Sequence, residues 1–405
     1  MNKCSPLFRC FGFLSMEKLT RTPLTLIVIT LAVFALSACG SKKDDIEESG
    51  KPLSLEKVEL KKAKFKKLWS RSVGNGQGKR YNQLSLDFDG SDVFAASVNG
   101  RVTRYNKSGK KVWSTKIKET LSAGVGVGSG LALVATRDGV LIALASDTGL
   151  EKWRKDMRGE VLASPQAWKG RVVVQTYDGR LIGLNRDSGE ELWSYVADLP
   201  LLTLRGTATP KIVDGIVYTG FANGKVVALD SQTGVLIWDK AVALAKGQAE
   251  IDRVVDVDAT PLVTGNFVYA ASFNGNLFAF DRRRGNARWR FETSTYRELA
   301  EGFGKVYLVD EKSRMYGLDA DDGAQRWEQS ALLNRQLGSP VNFNGFLVVA
   351  DYKGFLHAIS QVNGSIVGRT RVDRAGVRVP MRSVGSQLYV YSDDGKLAAY
   401  QLENL

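Results

Sequence analysis

Cysteine is nearly absent from this chain, with three in 405 residues and none after Cys39. No disulfide can form beyond that point, so the bulk of the chain must be held by packing and hydrogen bonds alone. Histidine occurs once, at position 357, too sparse a supply for a histidine-based triad or a histidine-rich metal centre. "FLHAI" places it in a strand pattern, as a packed or surface side chain rather than a base or ligand. Proline is scarce, at nine, which argues against a collagen-like or proline-rich disordered chain. No zinc cluster, nucleophile elbow or phosphate-binding loop is found. The glycine-rich run "SAGVGVGSG" (122–130) precedes a strand pattern, so it offers phosphate no helix N-terminus. "DADDG" (319–323) has the look of a calcium loop, but Ser330 stands where the bidentate glutamate belongs, and it reads as a turn. Neither a cofactor nor a metal is expected.

What is abundant is glycine, at 41, together with a net charge of +13. The first 38 residues hold only Lys3, Arg9, Lys18, Arg21 and Glu17 among their charges, so the chain stays basic without them. The remaining lysines and arginines are scattered through alternating strands with no nucleic-acid motif. A solvated basic surface is expected, not a nucleic-acid site.

The stretch "MEKLTRTPLTLIVITLAVFALSAC" combines a short basic region, an apolar run from Leu24 to Leu36 and small residues before a cysteine. That is the pattern of a signal peptide, not a membrane span. Met1 and Met16 are both candidate starts. "LSAC" resembles the bacterial lipobox, which implies acylation of Cys39 after removal of residues 1–38. A cysteine kept only there is explained by lipidation, since several acyl chains give stable anchoring at ~0.8 kcal/mol per buried methylene. The alternative is an ordinary cleaved signal with a coincidental cysteine. By the lipoprotein sorting rule that comes with the resemblance, Gly40 after the cysteine implies the outer membrane. Residues 39–63, polar and charged, read as a flexible tether.

Self-similarity decides the fold. "RDGVLIALASDTGLEKW", "YDGRLIGLNRDSGEELW", "ANGKVVALDSQTGVLIW" and "FNGNLFAFDRRRGNARW" are copies of one unit: a turn, an alternating strand, a second turn, and a strand carrying tryptophan. Weaker copies end at Trp113, at Trp327 and at Gly368 in place of tryptophan, and the last stops before its final strand. The first-turn glycine, or Ser313 in its stead, recurs eight times at intervals of 38 to 51 residues. This is the period of a propeller blade. Asn-Gly and Asp-Gly supply tight hairpins. Each tryptophan is expected to wedge between blades, with its indole N–H free for a backbone carbonyl. "FKKLWSRSV" brings Trp69 without a preceding hairpin, and the eighth copy lacks just such a strand. The expected fold is all-β: an eight-bladed β-propeller of four-stranded blades over residues 64–405, closed by an N-terminal strand that completes the last blade.

Where the repeat stretches, function is expected. The distance from a tryptophan to the next first turn is 24 to 27 residues in four copies, but 31 after Trp193 and 37 after Trp238. The two excesses are consecutive and fall in equivalent connections, so they should emerge on one face, one blade apart. The first holds "LPLLTLRGTATP", with Leu202, Leu204 and Arg205; the second holds "ALAKGQAEIDRVVDVDATP", with Asp256 and Asp258. Exposed leucines beside a cation and two carboxylates form a candidate protein-binding patch. In the alternative, the leucines fold back as a cap and Arg205 pairs with Asp256 or Asp258. The two aspartates have too few companions to hold a metal.

The signal peptide, "LSAC", the eight repeats and the loops "LTLRG" and "EIDRVVDVDATP" together resemble the BamB family of propeller lipoproteins, which belong to the outer-membrane β-barrel assembly (Bam) machine. The resemblance implies a non-enzymatic scaffold, lipid-anchored at the periplasmic face of the outer membrane. It would bind the periplasmic (POTRA) domains of BamA through Leu202, Leu204, Arg205, Asp256 and Asp258, and aid folding and insertion of unfolded outer-membrane proteins. Whether those clients touch the propeller is left open. The rival class is a PQQ-type quinoprotein dehydrogenase, which uses a similar eight-bladed propeller; its usual calcium site and adjacent cysteines have no counterpart here.

Overall fold

The computed structural model describes residues 50–78, 82–245, 248 and 253–405. The signal peptide, Cys39 and Ile251–Asp252 of the second long loop lie outside the described residues. From Lys51 to Leu405 the chain is one compact unit.

Its described strands form eight four-stranded antiparallel sheets. Blades 1 to 7 are β2–β5 (87–116), β6–β9 (126–156), β10–β13 (166–196), β14–β17 (211–241), β18–β21 (262–293), β22–β25 (300–329) and β26–β29 (341–371), each a simple up-and-down meander. Blade 8 runs in the order β1 (Ala63–Ser72), β32 (Lys396–Asn404), β31 (Gln387–Tyr391) and β30 (Arg382–Val384). The N-terminal strand therefore completes the last blade as expected. Its register, from Ala63 opposite Asn404 to Ser72 opposite Lys396, fastens the two ends of the chain and removes the ring's open edge.

Hydrophobic packing lies in eight seams between successive blades rather than in one central core. The second and third strands, such as Leu131–Ala135 and Val140–Ala145, are buried almost throughout because a neighbouring blade covers each face. The fourth strands bury chiefly their tryptophan, as in Glu151–Asp156. Seven indole N–H groups, those of Trp69, Trp113, Trp153, Trp193, Trp238, Trp289 and Trp327, each donate to a backbone carbonyl of the following blade at 2.8–3.3 Å. The accepting turn carries the second-turn glycine. A Cβ on Gly189 would fall 2.7 Å from Trp153 Cε3, so only glycine lets the ring lie flat on the turn. Opposite most of these tryptophans, the third strand places alanine or glycine, for example Ala143 against Trp153 and Gly183 against Trp193.

Gly368, which breaks the tryptophan pattern, has a physical reason. In the eighth blade the third and fourth strands, β32 and β1, are paired without a turn joining them, so a tryptophan at 368 would have no second turn to dock on. The N-terminal segment occupies that space instead: a Cβ on Gly368 would lie 2.5 Å from the Ala63 carbonyl oxygen, and Lys62 N–H donates to Val367 O at 2.9 Å.

The boundary drawn at residue 63 needs correction for the same reason. Residues 53–62 are strapped along blades 6 and 7 rather than free. Leu53 N–H donates to Leu333 O (3.1 Å), Arg335 Nη1 to Leu53 O (2.8 Å) and Arg369 Nη1 to Glu56 O (2.6 Å), while Leu55 packs on the seam containing Leu332 and Leu337. His357 is packed beneath this strap. Its Nδ1 accepts from Arg369 Nε at 3.1 Å, so its proton sits on Nε2, 3.3 Å from Asp351 Oδ2. Burial holds the imidazole below its ordinary pKa, and the neutral ring spaces the two charged groups. Asp351 in turn fixes buried Arg335 through bonds of 2.6 and 2.8 Å.

Candidate partner-docking site

The two long connections, one between β13 and β14 and one between β17 and β18, meet as their spacing predicts. "VVDVDA" in the second is extended, and its alternation sorts its side chains. Val257 enters the seam between blades 4 and 5, and Val255 is also buried. Asp256 and Asp258 face the first loop. Leu204 N–H donates to Asp256 Oδ2 at 2.6 Å. Two residues on in each segment, Gly206 lies against Asp258, close enough that a Cβ would fall 2.2 Å from its Oδ2. Glycine ends "LTLRG" because the carboxylate occupies the space of a side chain.

This geometry revises the expected roles. Asp256 is not a surface carboxylate. It is fully buried, with one oxygen bonded to Leu204 and Oδ1 without a hydrogen-bond partner among the described residues. Burial pushes its carboxyl up to about 6. Asp258 is half-buried and pushed to about 8, first by burial and then by the charge of Asp256. The pair buttresses the loop from behind. Leu204, expected to be exposed, is half-buried above it. Leu202 is exposed, and Leu201 beside it is fully so; the sequence reading missed Leu201.

Arg205 pairs with neither aspartate. Its Nη1 and Nη2 reach Glu160 Oε2 and Oε1 at 2.9 and 2.5 Å. Glu160 comes from a third connection, between β9 and β10, and this hydrogen-bonded pair raises the Arg205 pKa further. Nothing in the sequence pointed to Glu160, since its connection has the ordinary repeat length. Arg205, Gly206 and Asp258 also border a polar cavity of about 430 Å³, whose wall includes Tyr296, Glu298 and Arg378 from blades across the ring. The site thus stands on the rim of the central opening. It offers apolar side chains and a fixed guanidinium, an arrangement suited to binding a protein surface.

Comparison with known proteins shows the family of the whole chain. The family described as outer membrane protein assembly factor BamB matches residues 98–329 and 311–404. The BamB of Pseudomonas aeruginosa is 43% identical over 376 residues, covering 93% of this chain and 98% of that protein. The chain belongs to the BamB family. The BamB of Escherichia coli K12 is 40% identical over 338 residues, covering 81% of this chain and 86% of its own length. The crystal structure of BamB from Moraxella catarrhalis superposes with a TM-score of 0.78 at 29% identity, covering 84% of this chain and all of that one. BamB membership makes this an outer-membrane protein assembly factor with an outer-membrane-associated place of work. Quinohemoprotein alcohol dehydrogenase from Comamonas testosteroni has a TM-score of 0.65 at 12% identity, covering 83% of this chain and 76% of the enzyme. At that identity the likeness is of fold alone.

Proposed function

We propose that this chain is a non-enzymatic scaffold of the Bam complex, held by a lipid on Cys39 at the periplasmic face of the outer membrane and docking onto the periplasmic domains of BamA. The observation that carries this reading is the presentation of Leu201 and Leu202 to solvent beside a loop pinned at Thr203, Leu204 and Arg205. Apolar side chains on a rigid base form an interface at little ordering cost. Leu202 and Arg205 touch the partner, whereas Asp256 and Asp258 act by holding the loop that carries them.

The test is copurification of BamA from detergent-solubilised membranes. Leu202→Glu with Arg205→Ala is expected to reduce recovery roughly tenfold or more, the range of a lost interface anchor, with thermal stability unchanged. Undiminished recovery of BamA with the folded double variant would remove the loops from the interface.

A further inference from the structure

The loop is held by a closed circuit that joins the Glu160–Arg205 pair to Tyr177 and Thr203. Glu160 accepts both ends of the Arg205 guanidinium. The carbonyl oxygen of Glu160 accepts the Tyr177 N–H at 2.7 Å, and the Tyr177 hydroxyl lies 2.9 Å from Thr203 Oγ1. Thr203 leads back through Leu204 to Arg205. The circuit therefore runs from blade 3 into the loop before blade 4 and returns, while Asp256 holds Leu204 from the opposite side.

From this we infer that Glu160 and Tyr177 are positioning residues of the docking site, acting on the partner through Arg205 and Thr203; the inference rests on the proposed docking role of this loop. End-on pairing with Glu160 uses one N–H on each of Nη1 and Nη2, and the half-exposed guanidinium keeps further in-plane N–H donors for an acceptor group of the partner. Arginine is otherwise among the side chains with most rotamer freedom to lose on binding. With half of the Arg205 side chain exposed, the pair adds little to folding stability. Its effect lies in orienting the cation before the partner arrives. Masking is the competing effect: if the Glu160 carboxylate neutralised Arg205 towards the partner, removing Glu160 would strengthen association.

The experiment is a double-mutant cycle of Glu160→Ala and Arg205→Ala, with Tyr177→Phe alongside, on binding of the full-length lipoprotein to purified BamA. Glu160→Ala is expected to weaken binding roughly two- to tenfold, the effect of releasing one long side chain, with no further loss in the Arg205→Ala background. Tyr177→Phe should weaken it less, with faster amide exchange at 203–206. Tighter binding by Glu160→Ala, or losses that simply add, would overturn the positioning role. If Arg205→Ala alone leaves binding intact, the docking reading fails first, and this inference fails with it.

Discussion

Gly189 lies under the indole of Trp153 with φ +72°, and Gly170 in a nearby turn has φ +83° with open space where a Cβ would go. Replacing each by alanine separates two penalties that are usually confounded. Forcing an L side chain into the left-handed region costs about 1–2 kcal/mol, offset by about 0.4–1 kcal/mol through the stiffer unfolded chain. Gly170→Ala should thus cost about 1 kcal/mol. Gly189→Ala bears the same penalty and also places a methyl 2.7 Å from Trp153 Cε3, which adds about 1–3 kcal/mol of overpacking. At about 2.1 cal/mol/K per residue, a propeller of this length loses roughly 1.4 °C per kcal/mol. The expected drops in Tm are about 1–2 °C for Gly170→Ala and about 3–6 °C for Gly189→Ala. Calorimetry of both variants, and of Gly189→Ala in a Trp153→Leu background, is the assay. The smaller leucine should recover the steric part and leave only the backbone part. Equal drops at 189 and 170, or no coupling between positions 189 and 153, would refute the account of how each tryptophan locks the next blade.

Two further outcomes test the seams and the loop. Gly368→Trp restores the repeat pattern yet should destabilise by at least about 1–3 kcal/mol through overpacking and expose residues 53–62 to limited proteolysis, because Ala63 already fills that space; a raised Tm with an intact strap would count against it. Asp256 carries a folded pKa of about 6 against 3.8 unfolded, so the folded state binds its proton more tightly. That contribution is full below pH 4, falls as pH rises through 6, and reaches at most about 3 kcal/mol at 1.36 kcal/mol per unit. Asp256→Asn keeps an acceptor for Leu204 N–H and should flatten the Tm-against-pH curve between pH 4 and 6; an unchanged slope would show that this carboxyl does not titrate there.

The blade architecture was legible because its determinants are local. Hairpin glycines, period-two strands and a tryptophan at fixed offset act within a few residues, and they recur eight times. Even the closure could be read, since one surplus strand at the start matched one missing at the end. The lengths of two connections likewise located the candidate site at Leu202, Leu204 and Arg205.

What each residue does there was not legible. Asp256 and Asp258 look alike in "VVDVDA", but only the packed ring decides that Asp256 is sealed behind Leu204 while Asp258 borders the central opening. Glu160 sits in a connection of ordinary length, yet the neighbouring loop brings Arg205 to it across 45 residues. The same holds for Gly368 and the strap held through Arg335, Asp351, His357 and Arg369. The sequence by itself determined the repeated unit, its number and its closure, because those follow from short-range turn geometry and strand periodicity. The partners of the isolated charged and polar groups were decided only by the tertiary structure, because ion pairing and burial depend on which distant segments the closed ring sets side by side.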